Sequence, residues 1–489
     1  MQTYPTLAAI DLGSNSFHLQ VGRVEGEQLF YLDAIKESVR LAGGLNANKR
    51  LDGASQRRAL NCLARFAERL QGMPAGAVRA VGTSALRVAK NAPEFLEKAR
   101  AALGFEIEIV AGREEARLIY LGVSHSLPLN TEPRLVVDIG GGSTECIIGT
   151  GYEAQDRESL RMGCVVFSNR FFANGVIDKA AMKAAEIAAR IETRIVAGPV
   201  FGKVAWAEAV GSSGSARALG DICRQNDHSD GSITLEGLRW LRERLIKIGH
   251  VDQLDLLGLK PDRRPVIVGG LAIMLAIFEE LGIEHMAVAQ GAMREGILWD
   301  LIGRVHDRDM RDITVSQFQR RYQVDMAQAR RVEDLAMDLF EAISPPPDTA
   351  RRLAWAASLH EIGISIAHSG FHKHGAYILE NADMPGFSRR DQAFMALLVR
   401  AGRGGLDKLG LASNAREWPL ILCLRLAQLF NMSRSAAPPP AIALRREEGV
   451  CRLSLPADWL KDNPLTRAVL DDEMREWSKA AAGLRLELV

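Results

Sequence analysis

One arrangement occurs twice in this chain and limits its possible folds more than any other feature. An apolar run ends in an aspartate, and a Gly/Ser-rich turn follows at once: Leu7-Ala-Ala-Ile-Asp11-Leu-Gly-Ser-Asn-Ser16 and Leu135-Val-Val-Asp-Ile-Gly-Gly-Gly-Ser-Thr144. That order suits a buried strand that delivers a carboxylate and a tight loop of backbone N–H groups to one point. Glycine allows close backbone approach and positive φ, and successive N–H groups make a concave anion site. Two such loops facing each other would grip a phosphate and leave the aspartates to hold a divalent cation.

The 489 residues are too many for a single core, so about two to four domains are expected. With 47% hydrophobic and 25% charged residues the composition is that of a globular protein. The net charge of +1 confines any polyanion site to a local patch and argues against nucleic acid as a partner. The six cysteines are scattered without a CxxC pair, as expected of reduced core residues. No secretory signal or bilayer-length apolar run is visible, so a cytoplasmic protein is expected, at most peripherally associated with a membrane.

Strand-like and helix-like pieces alternate up to about residue 126. Leu19–Val24, Leu29–Leu32, Val78–Val81 and Ile107–Val110 read as strands, and Ala54–Gln71 has helical spacing. The alternation restarts at Leu135. Asp178–Val196 reads as a helix, and Lys203–Val210 and Pro265–Val268 as apolar strands ending in glycines. The two Asp-Gly segments thus look like a duplicated α/β unit. After about residue 308 nearly everything has helical spacing, up to a short mixed tail after Pro438-Pro-Pro440. The expected domains are 1–126, 127–308, 309–436 and 437–489.

Candidate phosphate ligands are Gly13, Ser14, Asn15 and Ser16 in the first loop, Gly140, Gly141, Gly142 and Ser143 in the second, and the turn Gly211, Ser212, Ser213, Gly214. Thr83 and Arg87 follow the strand ending at Val81. Thr83 suits a helix N-cap, and Arg87 suits either a solvated face or a phosphate fork. Glu114-Glu115 opens a helix, where acidic residues offset the macrodipole; alternatively, Glu115 is a general base that activates water. Glu145 would complete a cation site with Asp138, since Mg²⁺ prefers carboxylate and phosphate oxygens. His360-Glu361, His368, His372 and His374 match no zinc spacing with a clear fourth ligand. Arginine pairs recur in the helical part (Arg320-Arg321, Arg330-Arg331, Arg351-Arg352, Arg389-Arg390), and solvated faces account for most of them.

The segments AAIDLGSNSFHL, VGTSALR, AGREEARLIYLGV, VVDIGGGSTE, RMGCV, VGSSGSARAL, VGGLAI and GAMREGIL, in this order, resemble the exopolyphosphatase / guanosine pentaphosphate phosphohydrolase family. The likeness continues through WAASLHEIGISIAHSGFHKHGAYILENADMPGF and covers essentially the whole chain. It implies an α/β fold with two actin-like (ASKHA, RNase H-like) lobes around a cleft. An all-α domain related to the HD phosphohydrolases and a small α+β tail would follow. It also implies a homodimer that removes terminal phosphate from a phosphoanhydride chain with Mg²⁺ and often K⁺. By motif, Glu115 matches the catalytic glutamate, and Asp138 and Glu145, with Asp11 as a partner, match metal and phosphate carboxylates. His360-Glu361 departs from the His-Asp pair of HD proteins and puts a second metal site there in doubt. Inorganic polyphosphate is the first expected substrate and guanosine pentaphosphate the second, with the tetraphosphate as product. Rival readings are an actin-like kinase or ATPase with an adenine pocket near Gly211–Gly214, and a nucleotide sensor that only binds.

Overall fold

Both apolar runs that end in aspartate are central strands. In the computed structural model, β1 (Thr6–Leu12) is flanked by β2 (Ser16–Glu25) on one side. On the other side it is flanked by the parallel strand β4 (Val78–Gly82). The five-stranded sheet, in order β3-β2-β1-β4-β5, is completed by β3 (Gln28–Ser38) and β5 (Ile107–Ile109). The second sheet repeats this plan. β6 (Arg134–Ile139), β7 (Thr144–Thr150) and β8 (Glu153–Leu160) form an antiparallel meander. β9 (Glu208–Ser212) and β11 (His285–Val288) then add in parallel beside β6, with β10 (Ile233–Thr234) at the edge. The same topology built twice is the two-lobed, RNase H-like arrangement of the actin-like fold.

The structure describes residues 4–25, 28–198, 205–305, 309–343, 349–412, 415–435, 440–447, 449–480 and 484–488. The chain divides into two compact units, residues 1–309 and 310–489. In the first unit the sheets carry α1 (Gly53–Arg69), α2 (Ser84–Val88), α3 (Ala92–Leu103), α4 (Gly112–His125) and α5 (Cys164–Phe171). Next come α6 (Lys179–Ala197), α7 (Ser213–Gln225), α8 (Leu235–Ile248), α9 (Ile267–Leu281) and α10 (Met293–Val305). Side-chain oxygens cap several N-termini: Asp52 accepts from Ser55 N and Asp178 from Ala181 N.

Two strand assignments change. Pro265–Val268 is the entry to α9, not a strand. The buried run from Ile267 to Phe278 is twelve residues long, which suits a helix enclosed on all sides better than a strand. Its glycines serve packing. A Cβ on Gly269 would sit 2.6 Å from the Cys164 carbonyl oxygen and 2.7 Å from Ser168 N on α5. The strand read at Lys203–Val210 begins at Glu208 and runs on through Gly211 and Ser212, while residues 203–204 lie outside the described residues.

The second unit contains α11 (Met310–Arg321), α12 (Met326–Ile343), α13 (Ala350–Ser358), α14 (Phe371–Asn381), α15 (Arg389–Ala401) and α16 (Trp418–Phe430). The tail adds β12 (Ala443–Glu447), β13 (Val450–Ser454), α17 (Ala457–Asp462), α18 (Pro464–Lys479) and β14 (Arg485–Leu488). Leu444, Cys451, Leu453 and Trp477 of the tail share one buried cluster with Leu420–Leu426 of α16. The buried Arg425–Glu473 pair ties the same elements. All six cysteines are buried and free. No helix among the described residues is long and apolar enough to cross a membrane.

Candidate active site

The loops after β1 and β6 meet. A Cβ on Gly141 would lie 3.1 Å from Asn15 N and 3.1 Å from Ser14 Cβ. One on Gly142 would lie 2.9 Å from both Ser14 Oγ and Ser84 Oγ. Any larger residue there would part the loops, which accounts for glycine at these positions. Gly13, Ser14, Asn15, Ser16, Thr83, Gly140, Gly141, Gly142, Ser143, Ser213 and Gly214 all line one cavity of about 670 Å³. Gly211 and Ser212 do not; they lie inside β9, where a Cβ on Gly211 would press on Ala216 and Met286. Ser213, at the start of α7, has φ +67 and donates its hydroxyl to the Ile139 carbonyl at 3.1 Å. A non-glycine residue held there stores strain of the kind found at functional sites.

Asp11, Glu115 and Asp138 reach the same cavity. Asp11 is half-buried, and its buried Oδ1 has no hydrogen-bond partner among the described residues. Burial, with the charges of Glu115 and Asp138 adding to it, pushes its carboxyl up to about 8. Burial also raises Asp138 to about 6, although the hydroxyls of Ser212 and Ser213 work against it. Glu145 is Asp138's partner across the β6–β7 pairing, and it accepts from Ser159 Oγ at 2.7 Å. It is buried and does not line the cavity, and burial followed by Glu115's charge raises its carboxyl well above the usual range.

Glu115 sits in the first turn of α4, where the helix dipole favours a carboxylate. Arg87 Nη1 donates to its Oε2 at 2.6 Å and to the Val110 carbonyl at 3.1 Å. Arg87 therefore holds the glutamate and does not line the cavity itself. Burial works to lower the proton affinity of Arg87, and Glu115's charge more than restores it.

Backbone contact fixes α4 in place. A Cβ on Gly296 of α10 would overlap the Leu118 carbonyl of α4, and one on Gly122 would overlap the Ala292 carbonyl. Beside this crossing, Asp300 of α10 binds Arg79 at 2.7 Å, Arg304 at 3.0 Å and also Arg117, which in turn binds Glu114 at 2.8 Å. Although burial alone would raise it, these three guanidinium groups hold Asp300 far below the usual carboxylate range.

The cations of the cavity were missed in the sequence. Arg217, Arg263 and Arg294 line it, with Lys36, Arg224 and Lys260. Burial and then the Arg294 charge lower the proton affinity of Arg217, a sign of cations gathered without enough counter-charge. Arg294 donates to His18 Nδ1 at 3.3 Å; burial, then Arg294, lowers His18 to about 3 and keeps the imidazole neutral. Arg263 lies where a Cβ on Gly214 would be. Arg217 and Arg294 stand inside recognisable segments, GSSGSARAL and GAMREGIL, so position within a motif was the available signal. Arg263 had none.

Among the described residues, no group of three or more His, Cys, Asp or Glu side chains is placed to hold a metal. Mg²⁺ needs fewer, because it keeps waters and takes phosphate oxygens with one or two carboxylates. The unpartnered Asp11 Oδ1 and Asp138 fit that demand, whereas Glu145 lies behind them. In the second unit His360 is buried with Nδ1 2.7 Å from the Ala357 carbonyl, and Glu361 pairs with Arg434 at 2.6 Å. His368 and His372 flank Phe371. Arg352 pairs with Asp391, and Arg351 with Asp312 at 2.5 Å.

The model of the Ppx/GppA phosphatase family matches residues 21–305, and that of domain III of Ppx/GppA phosphatases matches residues 310–474. The chain is 40% identical to a guanosine-5'-triphosphate,3'-diphosphate pyrophosphatase of Aeromonas hydrophila subsp. hydrophila, over 99% of each protein. It is 38% identical to the enzyme of the same name from Aeromonas salmonicida, also over 99% of each. Two solved structures are similar in fold. An exopolyphosphatase from Cytophaga hutchinsonii has a TM-score of 0.55 at 23% identity, covering 61% of this chain and 98% of that one. The Aquifex aeolicus Ppx/GppA family member has a TM-score of 0.51 at 24% identity, covering 62% and 98%.

Proposed function

Because the chain belongs to the Ppx/GppA phosphatase family, we propose that it hydrolyses the terminal 5'-phosphoanhydride of guanosine pentaphosphate, releasing orthophosphate and the tetraphosphate. One observation carries this reading: Glu115, held by Arg87, opens into the cavity where the two glycine loops meet. Identity of 40% along the full length to a pyrophosphatase of that nucleotide puts the nucleotide ahead of polyphosphate. The motifs alone suggested the reverse order.

The chemistry follows from the parts. Phosphoryl transfer needs an aligned nucleophile and donors around the equatorial oxygens. Backbone N–H groups of Gly13–Ser16 and Gly141–Ser143, with the N-terminus of α7, supply the donors. Glu115 takes a proton from the attacking water as its oxygen bonds to the terminal phosphorus. The bridging P–O bond breaks, and its electron pair leaves with the nucleoside diphosphate end. Asp11 and Asp138 would hold Mg²⁺, which neutralises charge on the phosphate oxygens when bound. Arg217 and Arg294 take the remaining phosphate charge, and neutral His18 aims Arg294.

Inorganic polyphosphate is the second reading. The observation favouring it is that Lys36, Arg217, Arg224, Lys260 and Arg263 all line the cavity, more cation than one terminal phosphate needs. Phosphate release from guanosine pentaphosphate and from long-chain polyphosphate, measured side by side with Mg²⁺, decides the order. A higher kcat/KM on the nucleotide supports the first reading, and a higher value on polyphosphate replaces it with the second. Release from neither defeats both.

A further inference from the structure

Lys36 on β3 and Asp262 in the loop before α9 come from different halves of the first unit. They meet with Nζ and Oδ2 3.0 Å apart, and both side chains line the cavity that contains the glycine loops. Arg263 Nε stands 3.9 Å from the same carboxylate oxygen. The carboxylate is thus flanked by two cations, the geometry of an anion subsite, and the protein's own side chain fills it. Partial burial would raise this carboxyl, but Lys36 and Arg263 hold it below the usual range, so it is charged at neutral pH.

The pair is also easy to displace. Lys36 is 43% exposed and Asp262 41%, and water screens such pairs until they contribute little. A phosphate group brings more charge and several acceptor oxygens to the same two cations. We infer that Asp262 is an internal stand-in for a substrate phosphate between Lys36 and Arg263, and that its charge sets how readily the cavity admits an anionic chain longer than its reacting end. The inference rests on the phosphoanhydride-hydrolase reading and adds a specificity-determining residue to it. A displaced Asp262 repels every further phosphate that passes, which penalises long polyphosphate more than a nucleotide with a short phosphate tail.

The test uses the full chain with Asp262→Asn and Lys36→Gln, and inorganic tripolyphosphate as the binding probe in calorimetry. Asp262→Asn is expected to tighten tripolyphosphate binding about fivefold, the effect of one unit charge at close range in water. It should also raise the ratio of kcat/KM on long-chain polyphosphate to that on guanosine pentaphosphate. Lys36→Gln is expected to weaken tripolyphosphate binding. If both variants shift affinity in the same direction, the pair only ties the two halves together and the inference is overturned. Unchanged affinity in Asp262→Asn overturns it too. Should the wild-type chain release phosphate from neither substrate, the functional reading fails, and the tripolyphosphate affinities still decide what Asp262 does.

Discussion

Arg87 Nη1 lies 2.6 Å from Glu115 Oε2, and the same nitrogen holds the Val110 carbonyl. The arginine that looked like a phosphate ligand is thus a brace. It joins α2 to the first turn of α4 and aims the carboxylate into the cavity.

Glu115→Gln keeps the shape and the contact with Arg87 but cannot accept a proton from water. Turnover is expected to drop by roughly 10²–10⁴-fold, with tripolyphosphate affinity within about twofold of wild type. Steady-state phosphate release and calorimetry check this. Unchanged turnover would remove Glu115 from the chemistry.

Arg87→Met leaves Glu115 in place without its brace. The expectation is a loss in kcat of roughly 10–100-fold with a much smaller change in KM, because uncertain aim costs rate more than binding. A rise in KM alone would mean that Arg87 binds substrate directly.

Without metal, folded Asp11 keeps its proton up to about 8 and Asp138 up to about 6, whereas both ionise near 3.8 when unfolded. The folded state therefore binds more protons between about pH 4 and 8, and stability falls as pH rises through that window. Thermal melts of chelator-treated protein should show Tm falling from about pH 5 to pH 8. Asp11→Asn should flatten the slope, and Mg²⁺ should offset it at the alkaline end by binding the ionised form. A Tm that rises with pH over this range would contradict the assignment.

Asp300→Asn removes a carboxylate that binds Arg79, Arg117 and Arg304; Glu108 remains for Arg79 and Arg304, and Glu114 for Arg117. Breaking a buried pair outright costs about 3–5 kcal/mol; with these partners retained, denaturant unfolding should show a smaller loss of about 1–3 kcal/mol. Activity should fall as well, since the network holds the helix that carries Glu115. A loss below about 1 kcal/mol would show the network to be dispensable.

Gly296→Ala forces a methyl group into the Leu118 carbonyl. Overpacking of this kind costs about 1–3 kcal/mol. Gly43→Ala, with open space around it, is the matched control and should be neutral. Comparable melts for the two variants would argue against close helix contact.

The sequence carried the frame well. β1 and β6 end in the two aspartates, the loops that follow face each other, and Glu115 lies beside them, because strand period and glycine turns are local signals. The misread parts depend on tertiary packing. Pro265–Val268 looked like a strand because a short apolar run has no period of its own; only its continuation to Phe278 marks a helix. Gly211 resembled a phosphate turn but makes room for Met286, and Gly269 makes room for α5. Lys36, Asp262 and Arg263 sit in no motif, and only the fold brings residues 226 positions apart into one cavity.

The contact between Gly122 and Gly296 also separates what can drift from what cannot. With no side chain between the backbones where Gly122 and Gly296 cross, the helix that carries Glu115 and the one whose first turn holds Arg294 behave as the jaws of a caliper locked at one setting. A relative with a new substrate would keep that setting and vary the loops around Lys36 and Asp262. The same lock makes directed evolution of this scaffold a matter of the rim, because a change at the caliper alters reach and alignment together.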